Sequence, residues 1–312
     1  MENFIVALNV VLPLCFLILI GYIVKKIGMV DAQTFKKINK LVSKVLIPCV
    51  LMKNIMETNL STDMDIRFVG YGVFSLLFVT LLAWTIVPLF EKNKKRIGVI
   101  IQGCYRSNFV LFGLTLVANL YGSENTAITS VLISFCVPVI NIIAIVVLQY
   151  FGMDEVDSKA IVKELCKNPI IIGALLGFAI LLLKIDLYPF LDTTIGDLSK
   201  MATPLALIIL GGTLEFKEVR KNLKGLTLMT LGKLVVVPGL MTSIGALLGY
   251  RGIHLMSLLA LFGSPIAVSS YPMATEMHCD DELASQGIVV TTVLSIFTMV
   301  FWIFVFKTFN LL

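Results

Sequence analysis

The sequence predicts an all-α polytopic membrane protein of ten transmembrane helices, folded as two five-helix repeats of opposite topology. Three observations carry that prediction. The 312 residues are 58% hydrophobic and only 14% charged, against roughly 45–50% apolar and 25% charged in soluble chains, and the mean hydropathy is +0.95. Apolar runs recur from Phe4 to Leu312, and no polar stretch is long enough to bury a core of its own. Residues also recur at an offset of half the chain, as set out below. An ordinary water-soluble protein and a soluble domain on a single anchor are both excluded.

A helix needs about 20 residues to cross the hydrocarbon core. Ten segments near that length lie between charge clusters and Gly/Asn/Pro punctuation, at 4–24, 37–56, 66–90, 97–120, 126–150, 168–184, 189–214, 225–249, 254–276 and 284–307. The first, MENFIVALNVVLPLCFLILIGYIVKK, has no basic residue ahead of its apolar run, so it reads as a span rather than a cleaved signal. The second and seventh are the weakest, because Lys44 and Lys53 flank one while Lys200 and Pro204 interrupt the other.

Basic loops collect on the cytoplasmic side of membrane proteins. Lys25, Lys26, Lys36, Lys37 and Lys40, the segment EKNKKR at 91–96, the loop with Lys159, Lys163 and Lys167, and KEVRKNLK at 217–224 share one face only if spans two and seven both cross. The net charge of +5 therefore concerns orientation, not nucleic acid. Location in the cytoplasmic membrane with both termini outside follows. The acidic connection EMHCDDE at 276–282 falls on the same cytoplasmic side and runs against the trend.

Three residue pairs stand 156 apart: Pro13 with Pro169, Gly21 with Gly177, and Pro48 with Pro204. Five spans per half is an odd number, so the second half enters the membrane from the opposite side. Residues 1–150 form the first repeat, 151–167 a cytoplasmic linker and 168–312 the second repeat. Inverted repeats of this kind mark secondary transporters, whose sites lie near the midplane at discontinuous helices. An offset of 157 brings Asn108 onto Pro265 and Thr115 onto Pro272, in the middle of spans four and nine. Span four reads GCYRSNFVLFGLT and span nine LFGSPIAVSSYP. Proline removes a backbone donor and clashes with the preceding turn, so both spans are expected to break there.

The polar residues of these spans have one sign. None of the 20 acidic residues lies deep in a predicted span, and Glu57, Glu215 and Glu276 sit at span ends. Arg106 lies about nine residues, roughly 13 Å, into span four, and Lys233 about eight residues into span eight. Cations without fixed anions favour an anionic solute, and helix N-termini at the breaks add N–H donors. Substrate-binding candidates are Asn108, Arg106, Ser107, Ser264, Pro265, Ser269, Thr203 and Lys233. Against each stands a bland alternative: snorkelling for Arg106 and Lys233, an interhelical bond for Asn108, and bonding back to helix carbonyls for the serines. Helix breaks are expected at Gly113, Thr115, Pro265 and Pro272, and bends at Pro48 and Pro204.

Over essentially its whole length the sequence resembles the auxin efflux carrier family, which includes malate and malonate permeases. The resemblance rests on RSNFVLFG at 106–113, Tyr121 and Gly122, NPIIIGALLG at 168–177, TPLALIILGGTL at 203–214, KLVVVP at 233–238 and SPIAVSSYP at 264–272. It implies a scaffold and a transport domain, crossing broken helices four and nine, elevator-like alternating access, and transport of a small organic anion such as a dicarboxylate or auxin-like carboxylate. Family members usually carry proline where this chain has Thr115, which leaves the break of helix four to Gly113 and Asn108.

The rival within transport is a sodium- or proton-coupled symporter or antiporter of the related crossed-helix folds, which generally use buried carboxylates. An intramembrane enzyme would need a nucleophile with its base or a metal cluster, and the chain has no HExxH and no histidine at depth. The six cysteines are scattered without ligand spacing, so neither a metal, a cofactor nor a disulfide framework is expected. The partners expected are the solute and the lipid bilayer. The sequence leaves open which anion moves, its direction and coupling, and the oligomeric state, with a homodimer among the options.

Overall fold

The computed structural model describes residues 2–56, 65–122, 125–153, 169–213 and 219–312. Glu57, Glu215, Lys217 and residues 154–167 of the linker, with Lys159, Lys163 and Lys167, lie outside the described residues. Among the described residues there is no strand. The helices run in the order α1 (Glu2–Lys26), α2 (Ala32–Leu41), α3 (Ile47–Met56), α4 (Ile66–Phe90), α5 (Lys94–Tyr105), α6 (Phe109–Tyr121) and α7 (Ala127–Gly152). They continue with α8 (Pro169–Leu182), α9 (Pro189–Thr213), α10 (Val219–Leu231), α11 (Val237–Leu247), α12 (Gly252–Gly263), α13 (Ser270–Glu276) and α14 (Asp281–Thr308).

Local chemistry sets these limits. Asp65, Asn93 and Asp280 cap α4, α5 and α14 by accepting backbone N–H groups of the first turn. Two π-helical turns, Val42–Leu46 and Gly232–Val236, join α2 to α3 and α10 to α11. Each stands just ahead of a proline, Pro48 or Pro238. A proline ring crowds the carbonyl four residues back, and a widened turn makes room for it. The carbonyl so affected by Pro238 belongs to Leu234, and the Trp302 indole N–H donates to it at 3.0 Å.

Five described helical stretches are long and apolar enough to cross a membrane: Ile66–Phe90, Ala127–Gly152, Pro189–Thr213, Asn222–Leu247 and Asp281–Thr308. Phe16, Phe74, Leu81, Phe297 and Phe304 point outward and are exposed. Such an apolar exterior suits lipid, not water.

Two groups of helices pack mainly among themselves. One holds α1, α2, α3, α8 and α9; the other holds α4 to α7 and α10 to α14. They meet where α1 rests on α14 and α6, and α3 on α7. In the first group, glycines let backbones touch. A Cβ on Gly21 would stand 1.9 Å from the Ile208 carbonyl oxygen, and one on Gly211 would stand 1.8 Å from that of Ile18. Gly177 approaches the Met52 carbonyl at 2.9 Å in the same sense. Gly21 and Gly177 differ by 156, and so do Met52 and Ile208.

The acidic connection at 276–282 sits among basic residues. Lys44 Nζ lies 2.9 Å from Glu276 Oε1, and the Asp280 N–H reaches the Lys95 carbonyl at 3.4 Å. Of its carboxylates, that of Glu276 thus has a countercharge in Lys44. Lys53 and Lys200 pair with Asp192 at 2.7 Å and Asp197 at 3.7 Å.

Gly211→Ala is expected to lower the unfolding temperature, since overpacking costs about 1–3 kcal/mol. Gly70→Ala, with no atom within 4 Å, should be neutral or gain up to about 1 kcal/mol of helix propensity. Thermal unfolding in detergent compares them; equal melting temperatures would show that the α1–α9 contact yields freely.

Candidate functional site

Both expected interruptions are present, that of helix four at Asn108 and not at Gly113 or Thr115. Between α5 and α6, Arg106, Ser107 and Asn108 are non-helical. Gly113 and Thr115 lie inside α6, so helix four is interrupted upstream of them; their side chains lie outside the described residues. The span holds no proline, and its interruption falls at three consecutive polar residues, where the Asn108 N–H finds a partner outside its own helix. Between α12 and α13, residues 264–269 leave the α-helix at Pro265, while Pro272 sits within the first turn of α13, where its missing N–H costs no helix bond. Pro48 follows its π turn and Pro204 lies within the continuous α9.

The two interruptions touch. Asn108 N–H donates to the Pro265 carbonyl at 2.9 Å, joining the pair that stands 157 apart in sequence. Ile266 N–H donates to Thr291 Oγ1 at 3.2 Å. The Ser107 hydroxyl donates to the Leu261 carbonyl.

A cavity of about 500 Å³ opens beside this junction. Its polar lining includes Arg106, Ser107, Asn108, Asn141, Thr203 and Ser269, and its remaining wall is largely aliphatic, with Leu14, Leu51, Val137 and Ile140. Arg106 is 2% exposed. Its Nη2 donates to Asn141 Oδ1 at 2.8 Å and Ser269 Oγ at 2.7 Å, while Nε and Nη1 are buried without a partner. Among the described residues, no ion pair includes Arg106. A buried guanidinium with open N–H groups and no carboxylate is costly to hold unless an anion joins it. Such a fork is also the geometry that binds a carboxylate by two hydrogen bonds.

Asn108 stands at the N-terminus of α6, and its side chain makes no capping hydrogen bond there. Thr203 and Pro204 line the opposite wall from α9. Three expected contacts are not in the lining. Ser264 donates back to the Ala260 carbonyl, Pro265 is engaged through its carbonyl, and Lys233 lies behind Ser107, whose Oγ it contacts. The bland alternative applies to Ser264, because a serine that has left the helix still reaches the carbonyl four residues earlier. Asn141 was not among the candidates from sequence. Its only signal is an amide in the apolar run VPVINIIAIVV, three residues after Pro138. Ser199 and Lys200 also border the cavity.

An apolar, lipid-facing helical bundle around two interrupted helices that meet beside an internal cavity is the build of a polytopic membrane transporter. A profile described as membrane transport protein matches residues 6–303. The chain belongs to that family, the auxin efflux carrier family, as its motifs indicated. It is similar to an uncharacterized transporter of Methanothermobacter thermautotrophicus, 25% identical over 94% of this chain and 96% of the relative. A protein of Rhizobium meliloti, provisionally named a malonate transporter, is 24% identical over 93% of each chain. The lysosomal cholesterol signaling protein of Mus musculus is 25% identical over 94% of this chain but 37% of its own. The protein is thus a membrane transporter and not an enzyme.

Asn141→Leu leaves an Arg106 N–H with one acceptor fewer in a buried setting. A loss of about 1–3 kcal/mol of stability is expected, read as a lower melting temperature in detergent. An unchanged value would mean that water or another group replaces the amide at no cost.

Proposed function

We propose that the protein is a secondary carrier that moves a small organic anion across the cytoplasmic membrane by elevator-type alternating access. The observation that carries this reading is Arg106: buried in the cavity wall, held by Asn141 and Ser269, with two nitrogens unpartnered. The uncapped start of α6 at Asn108 adds N–H donors to the same wall. No carboxylate lines the cavity among the described residues, which favours an anionic over a cationic solute. The name of the Rhizobium relative points to malonate, and a small dicarboxylate or an auxin-like carboxylate both fit this chemistry.

Two inverted repeats, 1–150 and 168–312, joined by a cytoplasmic linker and giving ten spans, belong to the same proposal. Its support is the reciprocal contact of Gly21 with Ile208 and of Gly177 with Met52, both pairs related by one offset. The group of α1 to α3, α8 and α9 would be the scaffold, and the group holding the interrupted helices the moving part. Both termini then face outward.

Purified protein in liposomes should take up malonate, malate or indole-3-acetate with saturation. Arg106→Gln should lower that flux about tenfold or more, the loss of a charged hydrogen-bond donor at a buried site, and Asn108→Ala should weaken binding. Absence of flux for every acid, with sodium or protons moving instead, would replace this reading by the cation-coupled one.

A further inference from the structure

The anion site uses Arg106; the second buried cation, Lys233, is left over. It is 0% exposed and stands in the π turn Gly232–Val236, separated from the cavity by one side chain. That side chain is Ser107, which lines the cavity, contacts Lys233 Nζ and meets the Leu261 carbonyl. An ammonium carries three N–H donors and no acceptor. Among the described residues a single hydrogen bond and no ion pair include Lys233.

The surroundings hold nothing that would fix its charge. From α5 the thiol of Cys104 faces it. On α11 no side chain is titratable. On α12 the titratable side chain is His254, edge-to-face with Phe68 and stacked with Tyr250 at the helix start. The charged residues of α14 are Asp281, Glu282 and Lys307 at its two ends. The last charged residue of α10 is Lys224, nine positions before Lys233 in sequence. No carboxylate pairs with the buried amine, and one of the three N–H groups an ammonium carries has an acceptor among the described residues, so the neutral amine fits this setting as well as the ammonium does.

We infer that Lys233 is the proton site of this carrier, loaded and unloaded through the Ser107 hydroxyl, so that anion movement is coupled to protons. The inference rests on the anion-carrier reading and adds its coupling. The step balances simply. A hydronium ion in the cavity gives a proton to Ser107 Oγ and leaves as water while the hydroxyl's own hydrogen passes to the neutral Nζ; two O–H bonds break, one O–H and one N–H bond form, and the hydroxyl is restored. With Lys233 charged, Nζ donates to Ser107 Oγ and the hydroxyl hydrogen turns to the Leu261 carbonyl. With Lys233 neutral, that hydrogen turns to Nζ and the carbonyl loses its donor. Leu261 is two residues from the end of α12, so the proton state is felt at the interrupted helix itself. Release of the proton also leaves the empty carrier with one buried positive charge, on Arg106, instead of two.

The test is a downward pH step on proteoliposomes held on a solid-supported membrane, with no organic anion present. The wild type should give a transient displacement current, and Lys233→Gln and Lys233→Arg should each reduce it about tenfold or more. A transient of unchanged size in both variants overturns the inference. If neither lysine variant is monodisperse in detergent, Ser107→Ala carries the test: the transient should slow about tenfold, and an unaltered time course overturns the relay. In a second arm, an inward proton gradient should accelerate malonate, malate or indole-3-acetate uptake by the wild type and not by Lys233→Gln. Saturable acid flux without any proton transient removes the proton site and keeps the anion carrier. A transient without flux of any acid does the reverse.

Discussion

Hydrocarbon offers no hydrogen bonds, so every backbone group that leaves a helix inside a membrane protein must find a partner within the protein. This chain interrupts two of its helices and then satisfies what was freed by laying one interruption against the other. The Asn108 N–H takes the carbonyl of Pro265, Ile266 takes the hydroxyl of Thr291, and Ser107 takes the carbonyl of Leu261. The placement of Arg106, Lys233 and the cavity all follows from this junction. An interruption is the one place in a helical bundle where backbone donors and a charged side chain can face the same empty volume.

The chemistry that collects there comes from separate parts of the chain. The link between α5 and α6 supplies the guanidinium, α7 an amide, and the link between α12 and α13 a hydroxyl. The site is therefore a property of the helix group containing α4 to α7 and α10 to α14, while α9 of the other group contributes a wall with Thr203 and Pro204. The cavity beside Arg106 thus lies between two groups of helices, each with its own internal packing.

Span limits were legible where polar punctuation is sharp: the segment at 66–90 coincides with α4, because Asp65 caps one end and the charged run from Glu91 closes the other. The interruptions were legible as a pair, yet the first lay several residues from where Gly113 and Thr115 suggested. Glycine tolerates a break but does not demand one, and the chain left the helix where Arg106, Ser107 and Asn108 could supply replacement bonds. Depth in a span was readable for Lys233; the direction of its side chain was not. Position along a helix gives distance from the membrane surface, whereas the intervening Ser107 comes from another helix 126 residues away. Asn141 shows the same limit, since a lone amide in an apolar run takes its meaning from the arginine beside it.

The ion pair of Lys44 with Glu276 joins the two helix groups, and its members keep 41% and 28% of their side-chain surface open to solvent. Contacts such as Gly21 on Ile208 work differently, because apolar backbone-to-backbone fit does not depend on the ionic medium. A half-exposed ion pair does: its strength falls as salt screens it, and it is modest to begin with. The molecule thus has two kinds of adhesive, close backbone contact such as that of α1 with α9 inside one body and, beside the helix packing of the seam, a partly wetted electrostatic clasp across it. The composition of the surrounding solution can reach the second without disturbing the first.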